Sequence, residues 1–482
     1  MNNLKFGQTK ILVNSAQVIH EMKGGIGASW HALSKEIPLN NEKYDYPVRL
    51  INSRGSAYGG NPPAENNSAW EQINYYAKWL GLNFIRVEIS QRMYEPERNI
   101  FDWNNEEMSA LYRILDWCEI NKADVFLQQM WGHVEWNAYP GVHPLLSAPY
   151  SIEDFAAGIY ELLNFLVNKK GYSCVKYFCI TNEPPGGSWG YWWCYGSYSG
   201  SITAAIKKVR ETLDEKGINI PLSGPGWTSL PPFDESKIDF EPYLGAYDIH
   251  SYNGINFEGE KIISEWVKWA HDHSKPFFLT EFGNMNLGWG ADNPGPKSFA
   301  ASLSNASDII TCLNLGTDGF NRWSFTNRGD LDGQWQLIRT WDAESKCYLK
   351  NIFPESSAYF GFAILSRFLA KYSKVLKIDF EKELPGIKAA AVSNKSNIIS
   401  IFIVNNDEEE RIINLNIKGI NDKEIFYLYQ ADEEAVSDKS FELNSLKGIK
   451  GLNQGMQISL EAKSITTLSN FNLSNKDFGI IE

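Results

Sequence analysis

Between Gly24 and Ala370, short apolar runs alternate with longer segments of helical period, and this alternation constrains the fold more than any other feature of the chain. Eight runs read as strands: GGIGAS (24–29), FIRVEIS (84–90), DVFLQQMW (124–131), VKYFCITNE (175–183), IPLSG (220–224), AYDIHSY (246–252), PFFLTEF (276–282) and GFNRWSF (319–325). Apolar stripes predict helices over 68–80, 106–121, 152–170, 202–215, 261–271, 298–314 and 356–370, with 239–244 as a single turn. Ser68 and Glu71 have the spacing of a capping box opening the first of these. Eight strand–helix units imply an α/β fold class, a (β/α)8 TIM barrel over residues 22–372.

After Val375 the pattern changes to short alternating strands broken by Gly, Asn and Asp clusters, as in NIISIFIVNN and RIINLNIKG. That is the signature of a C-terminal antiparallel β-sandwich domain, expected over 373–472. KILVN (10–14) precedes the barrel and is expected to join this sheet, so residues 1–21 go with it and 473–482 remain as a tail. Phe402, Phe426, Tyr427 and Tyr429 lie in these strands and read as core.

A parallel barrel carries its active site at the carboxyl ends of its strands. Strand four ends in Asn182, Glu183 and Pro184, and strand seven ends in Glu281, Phe282 and Gly283. Each is an apolar run that terminates in a carboxylate and is stopped by Pro or Gly. Either glutamate alone reads as a solvated loop carboxylate. Together, on strands that face one another across the mouth, they fit the two carboxyl groups, about 5–5.5 Å apart, of a retaining glycoside hydrolase.

The Asn182-Glu183-Pro184 motif paired with Glu281 resembles clan A of the glycoside hydrolases, across the whole barrel, and the barrel with a sandwich is similar to families 5, 30 and 39. The resemblance implies Glu183 as general acid/base and Glu281 as nucleophile of a β-glycosidase, with Asn182 on the sugar 2-hydroxyl. It implies Arg86 and Tyr252 as the partners that hold Glu281, and Trp323 as the floor of the first subsite. Arg86 would keep Glu281 ionised, and the neighbouring negative charge would raise the pKa of Glu183.

Further residues carry open alternatives. Glu88 shares a strand face with Arg86 and is either a network member or the true partner carboxylate. Asp248 reads as half of a structural salt bridge, and His250 on the same strand as a substrate contact. His133 and Glu135 follow strand three, where a sugar-lining role and a loop role are equally open. The run PPGGSWGYWWCYGSYSG (184–200) sets aromatics among glycines with no helical face, so Trp189, Tyr191, Trp192 and Trp193 are candidate sugar platforms. Trp131, Trp289 and Trp335 are weaker candidates for the same role.

Bulk properties narrow the partners. A net charge of −13 excludes the basic footprint of a nucleic-acid groove and suits a neutral carbohydrate. No apolar stretch reaches the ~18 residues of a membrane span, and MNNLKFGQTK lacks the apolar core of a signal peptide, so a cytoplasmic location is expected. The six cysteines form no CxxC pair. His271 and His273 have no third ligand nearby in sequence, and Gly24, Gly25 and Gly27 lack the dinucleotide spacing, so no metal or cofactor is expected. Oligomeric state has no signature here. Two rival readings use the same residues: a non-catalytic carbohydrate-binding barrel, and a transglycosylase.

Overall fold

The computed structural model describes residues 9–32, 61–131, 134–141, 144, 147–184, 198–228, 230–252, 254–287, 295–326, 335–342, 345 and 347–482. In chain order its strands are β1 (Thr9–Glu21), β2 (Ile26–Ala28), β3 (Trp30–His31), β4 (Phe84–Ser90), β5 (Asp124–Trp131), β6 (Val175–Cys179), β7 (Leu222–Trp227), β8 (Ala246–Ser251), β9 (Phe277–Phe282) and β10 (Gly319–Arg322). The helices among and after them are α1 (Asn67–Trp79), α2 (Gln91–Tyr94), α3 (Glu106–Asn121), α4 (Ile152–Leu163), α5 (Tyr198–Glu215), α6 (Phe257–Asp272), α7 (Phe299–Leu315) and α8 (Ser356–Ser366).

Strands β2 to β10 form one parallel sheet in the order β2-β10-β9-β8-β7-β6-β5-β4-β3. Its two ends, β2 and β3, are separated in sequence only by Ser29, so the sheet closes into a barrel whose first strand is split. The upper half pairs His31 with Glu88, and the lower half pairs Ile26 with Phe320. The Ser29 amide bridges the break by donating to the Arg322 carbonyl at 2.9 Å. Strand one therefore runs two residues past its expected end at Ser29, which brings His31 to the mouth. Inside, Phe84, Phe126, Phe278, Cys179 and Ala246 form a buried plug, with the Phe84 and Phe278 rings 4.9 Å apart. Gly27 permits that layer, because a Cβ there would lie 1.8 Å from the Phe84 carbonyl oxygen.

The helices bury apolar stripes against this barrel, and several differ from the sequence expectation: α2 is additional, α5 and α6 begin earlier, at Tyr198 and Phe257, and α8 stops at Ser366. Helix α1 is capped by Asn66, whose side chain accepts from the Ala69 amide at 3.2 Å, not by Ser68 and Glu71. Asparagine is as good a cap as serine and sits where the chain leaves its turn. Helix α4 passes at Asn164 into a π-helical segment that ends at Lys169. The expected turn at 239–244 is a 3-10 helix, Glu241–Tyr243.

After α8 come β13 (Lys374–Phe380), β14 (Ile387–Ser393), β15 (Ile399–Asn405), β16 (Arg411–Lys418), β17 (Phe426–Ala431), β18 (Lys447–Ile449), β19 (Met456–Leu460) and β20 (Ser464–Ser469); a hairpin of β11 (Ile338–Asp342) and β12 (Cys347–Pro354) precedes them. β1 enters this second sheet between β13, antiparallel, and β16, the one parallel pair in its order. Strand β15 explains the run ISIFIVN: Ile401 and Ile403 face a core with Ile11, Val13, Leu415 and Leu460, while Phe402 and Val404 face the barrel helices. With a side-chain period of two, a strand buried on both faces reads as continuously apolar. Phe402, Phe426 and Tyr429 are fully buried.

Polar contacts tie the layers together. Asn314 donates to the Ala389 carbonyl at 2.9 Å, and Lys388 reaches Thr311 at 2.7 Å. At the foot of the barrel, His20 of β1 and His271 of α6 flank Asp318, at 3.2 Å and 2.9 Å. His271 thus gains the ligand-type neighbours that the sequence reading denied it. The two imidazoles stack at 5.0 Å and 19°, each with its Nε2 turned to the Asp318 carboxylate. The last residues are not free: Ile480 donates to the Arg367 carbonyl at 2.9 Å, and the Trp79 indole donates to the Asn475 carbonyl at 2.7 Å. No helix among the described residues is long and apolar enough to cross a membrane.

Candidate active site

Glu183 lies just beyond β6 and Glu281 near the end of β9. An oxygen of each and His250 Nδ1 all lie within 4.8 Å of one another. Local backbone chemistry holds Glu183 in place. Its φ is +46°, a left-handed value that costs a non-glycine residue about 1–2 kcal/mol. Its amide donates to the Gly226 carbonyl at 2.9 Å. Gly226 itself has φ +63° and sits against the Thr181 carbonyl, a place where a side chain is strained.

Arg86 is the hub. It is fully buried on β4, and its Nη1 contacts Glu281 Oε1 at 2.6 Å and also Glu88 Oε1, while its Nη2 donates to Asn182 Oδ1 at 2.8 Å. The Tyr252 hydroxyl donates to the other oxygen of Glu281. Both carboxylate oxygens of Glu281 are therefore committed, one of them to a fixed cation. A divalent metal drawn to Glu183, His250 and Glu281 would compete with Tyr252 for Glu281 and sit beside the Arg86 cation.

His250 is fully buried, with Nδ1 2.8 Å from Glu183 and 3.4 Å from Glu281. Burial lowers its pKa, the charge of Glu281 opposes that, and Arg86 adds to it. Glu183 is the more accessible carboxylate, its side chain 14% exposed against 5% for Glu281. Burial pushes Glu183 up to about 7, opposed by a hydrogen bond with Thr228 and by Arg86, with Glu88 adding to the rise. The sequence reading expected a neighbouring charge to be the cause; desolvation is the larger one. Burial raises Glu281 as well, and Arg86 and then His250 oppose it.

The remaining expectations sort as follows. Trp323 is nearly buried at the mouth, with the Arg86 guanidinium 5.9 Å from its ring and the His31 ring edge-on at 5.0 Å. Trp335 is buried, packed against Gly283 and 5.5 Å from the Tyr252 ring, so it braces the tyrosine. Asp248 is no salt bridge: it accepts from the Ser223 hydroxyl at 2.8 Å and the Thr280 hydroxyl at 2.7 Å. Those hydroxyls, on β7 and β9, satisfy the carboxylate without a cation. Glu88 belongs to the Arg86 network, and Glu135 lies in the 3-10 helix Glu135–Asn137. His133, Trp189, Tyr191, Trp192, Trp193 and Trp289 lie outside the described residues, as does the side chain of Trp131. Two site residues went unread in the sequence, His31 and Thr228. Both stand beyond the expected ends of strands one and five.

A family model described as cellulase, glycosyl hydrolase family 5, matches residues 42–327, more than half of the chain. No curated protein matches the sequence. Among solved structures, a glycoside hydrolase family 30 subfamily 8 xylanase from Clostridium acetobutylicum aligns at TM-score 0.64 and 14% identity, over 95% of this chain and 99% of that one. A family 30 endoxylanase from Clostridium papyrosolvens aligns at 0.64 and 13%, over 96% and 100%. A structure described as an endo-β1,6-glucanase aligns at 0.62 and 14%, over 96% and 94%. At such identities the likeness is one of fold, a TIM barrel with a β-sandwich beside it, whereas the family match spans barrel strands two to eight and both glutamates. On that match the chain belongs to the cellulase family, glycosyl hydrolase family 5.

Proposed function

We propose that the chain is a retaining β-glycosidase acting on a neutral, β-linked oligosaccharide or glycoside, with Glu281 as nucleophile and Glu183 as general acid and base. The observation that carries this reading is the approach of an oxygen of each carboxylate to within 4.8 Å of the other. Retaining enzymes need about 5–5.5 Å, whereas inversion needs about 6.5–9.5 Å to admit a water.

The surroundings support this division of roles. Glu281 is bound by Arg86 and Tyr252, donors that favour the ionised carboxylate. Glu183, with its pKa pushed up to about 7, keeps a proton near neutrality and sits at the more open position. In the first step Glu281 attacks the anomeric carbon while Glu183 passes its proton to the leaving oxygen. The Glu183 carboxylate then takes a proton from water, which displaces Glu281 from the glycosyl-enzyme. Arg86 takes the Oδ1 end of Asn182, which leaves the Nδ2 end for a sugar hydroxyl. Neutrality of the substrate is supported by Arg86, whose charge is already shared between two carboxylates. The structural neighbours described as xylanases and as an endo-β1,6-glucanase are named for carbohydrate substrates, in keeping with this reading.

Aryl β-glycosides test the assignment. Glu281→Gly should abolish turnover of every aglycone. Glu183→Ala should spare the first step for a dinitrophenyl leaving group and lose about 10²–10⁴-fold for a sugar leaving group. Azide should rescue the Glu183 variant as the β-azide and the Glu281 variant as the α-azide. Equal loss on all aglycones, with neither variant rescued, would refute the roles.

A further inference from the structure

We propose that Glu88, held by His31, is a positioning residue that divides the charge of Arg86 between itself and Glu281 and so sets the pH range in which the carboxylate pair works. The proposal rests on the roles given above to Glu183 and Glu281. Glu88 is fully buried on β4, two residues after Arg86 and hence on the same face. One of its oxygens meets Arg86 Nη1, and the other meets His31 Nδ1 from β3, its cross-strand neighbour. Packing does not require a carboxylate there, since an apolar side chain of like volume avoids the desolvation cost of a buried charge.

The consequence is electrostatic. Arg86 Nη1 stands between Glu88 Oε1 and Glu281 Oε1, so each carboxylate weakens the hold of the guanidinium on the other. Facing Arg86 from the packed strands are Ser29, Glu88, Asn182, Tyr252, His250, Cys179 and Glu281. Glu88 faces His31, Arg86 and the β5 residue Gln128. Burial is the main cause of the Glu183 elevation, and Glu88 is the charge that adds to it; the same charge pushes Glu281 upward. His31 completes the device. Its ring is pinned by Glu88 on one side and lies edge-on to Trp323 on the other.

Profiles of kcat/KM against pH on a β-glycoside with a poor leaving group test this in Glu88→Gln, Glu88→Asp and His31→Leu. Glu88→Gln removes a negative charge at nearly constant shape, so both limbs should move to lower pH by about one unit. His31→Leu removes a donor to that charge, whether imidazole or imidazolium, so both limbs should move to higher pH. Glu88→Asp keeps the charge and should return the limbs close to their original positions. A purely structural role would lower kcat in all three without moving the limbs. Unmoved limbs, or shifts of one sign in the first and third variants, would overturn the proposal. Should Glu88→Gln fail to fold, His31→Leu decides alone, its limbs moving to higher pH or not. Failure of the underlying roles would look different: a Glu281→Gly variant that still hydrolyses.

Discussion

Replacing the proposed acid should make the protein more stable, and only at high pH. Glu183 is largely buried, its ordinary value of 4.5 is pushed up to about 7, and burial is the main cause. Because the folded pKa lies above the unfolded one, folding is favoured while the group is protonated. The advantage is fully present below about 4.5 and is lost as pH rises through about 7. The interval from 4.5 to about 7 corresponds to roughly 3 kcal/mol at 1.36 kcal/mol per pH unit, present as a cost of ionised Glu183 above about pH 8. Glu183→Gln keeps the shape and the hydrogen-bonding capacity toward His250 and Thr228 but cannot ionise. Its gain over the parent should be near zero at pH 4.5 and about 3 kcal/mol at pH 8.5. Taking about 2.1 cal/mol/K per residue for the entropy of unfolding, that is roughly 3–4 °C in Tm for a chain of this size. Thermal scans of both proteins from pH 4.5 to 8.5 measure the divergence directly. Parallel Tm curves, or a variant less stable at pH 8.5, would refute desolvation as the origin of the Glu183 shift.

Three further outcomes follow from the same geometry. The alkaline limb of kcat/KM for a substrate with a poor leaving group should fall near pH 7, where Glu183 loses its proton, and should vanish with a dinitrophenyl glycoside. Gly226→Ala forces a side chain onto a φ of +63° and to 3.2 Å from the Thr181 carbonyl, so calorimetry should find a loss of about 1–3 kcal/mol, with activity falling most on substrates that need the proton. Ending the chain at Leu473 removes the Ser474 and Asp477 carbonyls that accept from Arg367 at 2.8 Å and 2.6 Å, leaving a buried guanidinium short of partners; Tm should drop by several degrees, and an unchanged Tm would show the segment to be idle.

The barrel and the carboxylate pair were legible because both rest on strand ends. An apolar run stopped by Pro184 or Gly283 marks where a strand leaves the sheet, and in a parallel barrel every such end opens on one face. Arg86 and Tyr252 follow from the resemblance to clan A rather than from strand ends, and both reach Glu281. What sequence hid is what register and depth decide. His31 was missed because strand one breaks at Ser29 and resumes, and an apolar pattern does not show a strand that changes partner midway. Thr228 was missed because the glycines and proline of β7 read as the end of a strand that continues to Trp227. Asp248 reads in sequence as half of a salt bridge; two hydroxyls from flanking strands supply its bonds instead, a cross-strand fact with no local signal. The desolvation of Glu183 depends likewise on how deep the mouth lies.

The central claim, that Glu281 attacks the anomeric carbon, is tested most directly by trapping the intermediate. A 2-deoxy-2-fluoro glycoside with an activated leaving group slows both steps but the second more, so the glycosyl-enzyme accumulates. Peptide mapping by mass spectrometry then locates the sugar. The expected result is one fluorosugar per chain, on the peptide carrying Glu281, with release on adding an acceptor and no adduct in Glu281→Gly. An adduct on Glu183 or Glu88, or steady hydrolysis of the parent glycoside with no adduct at all, would contradict it.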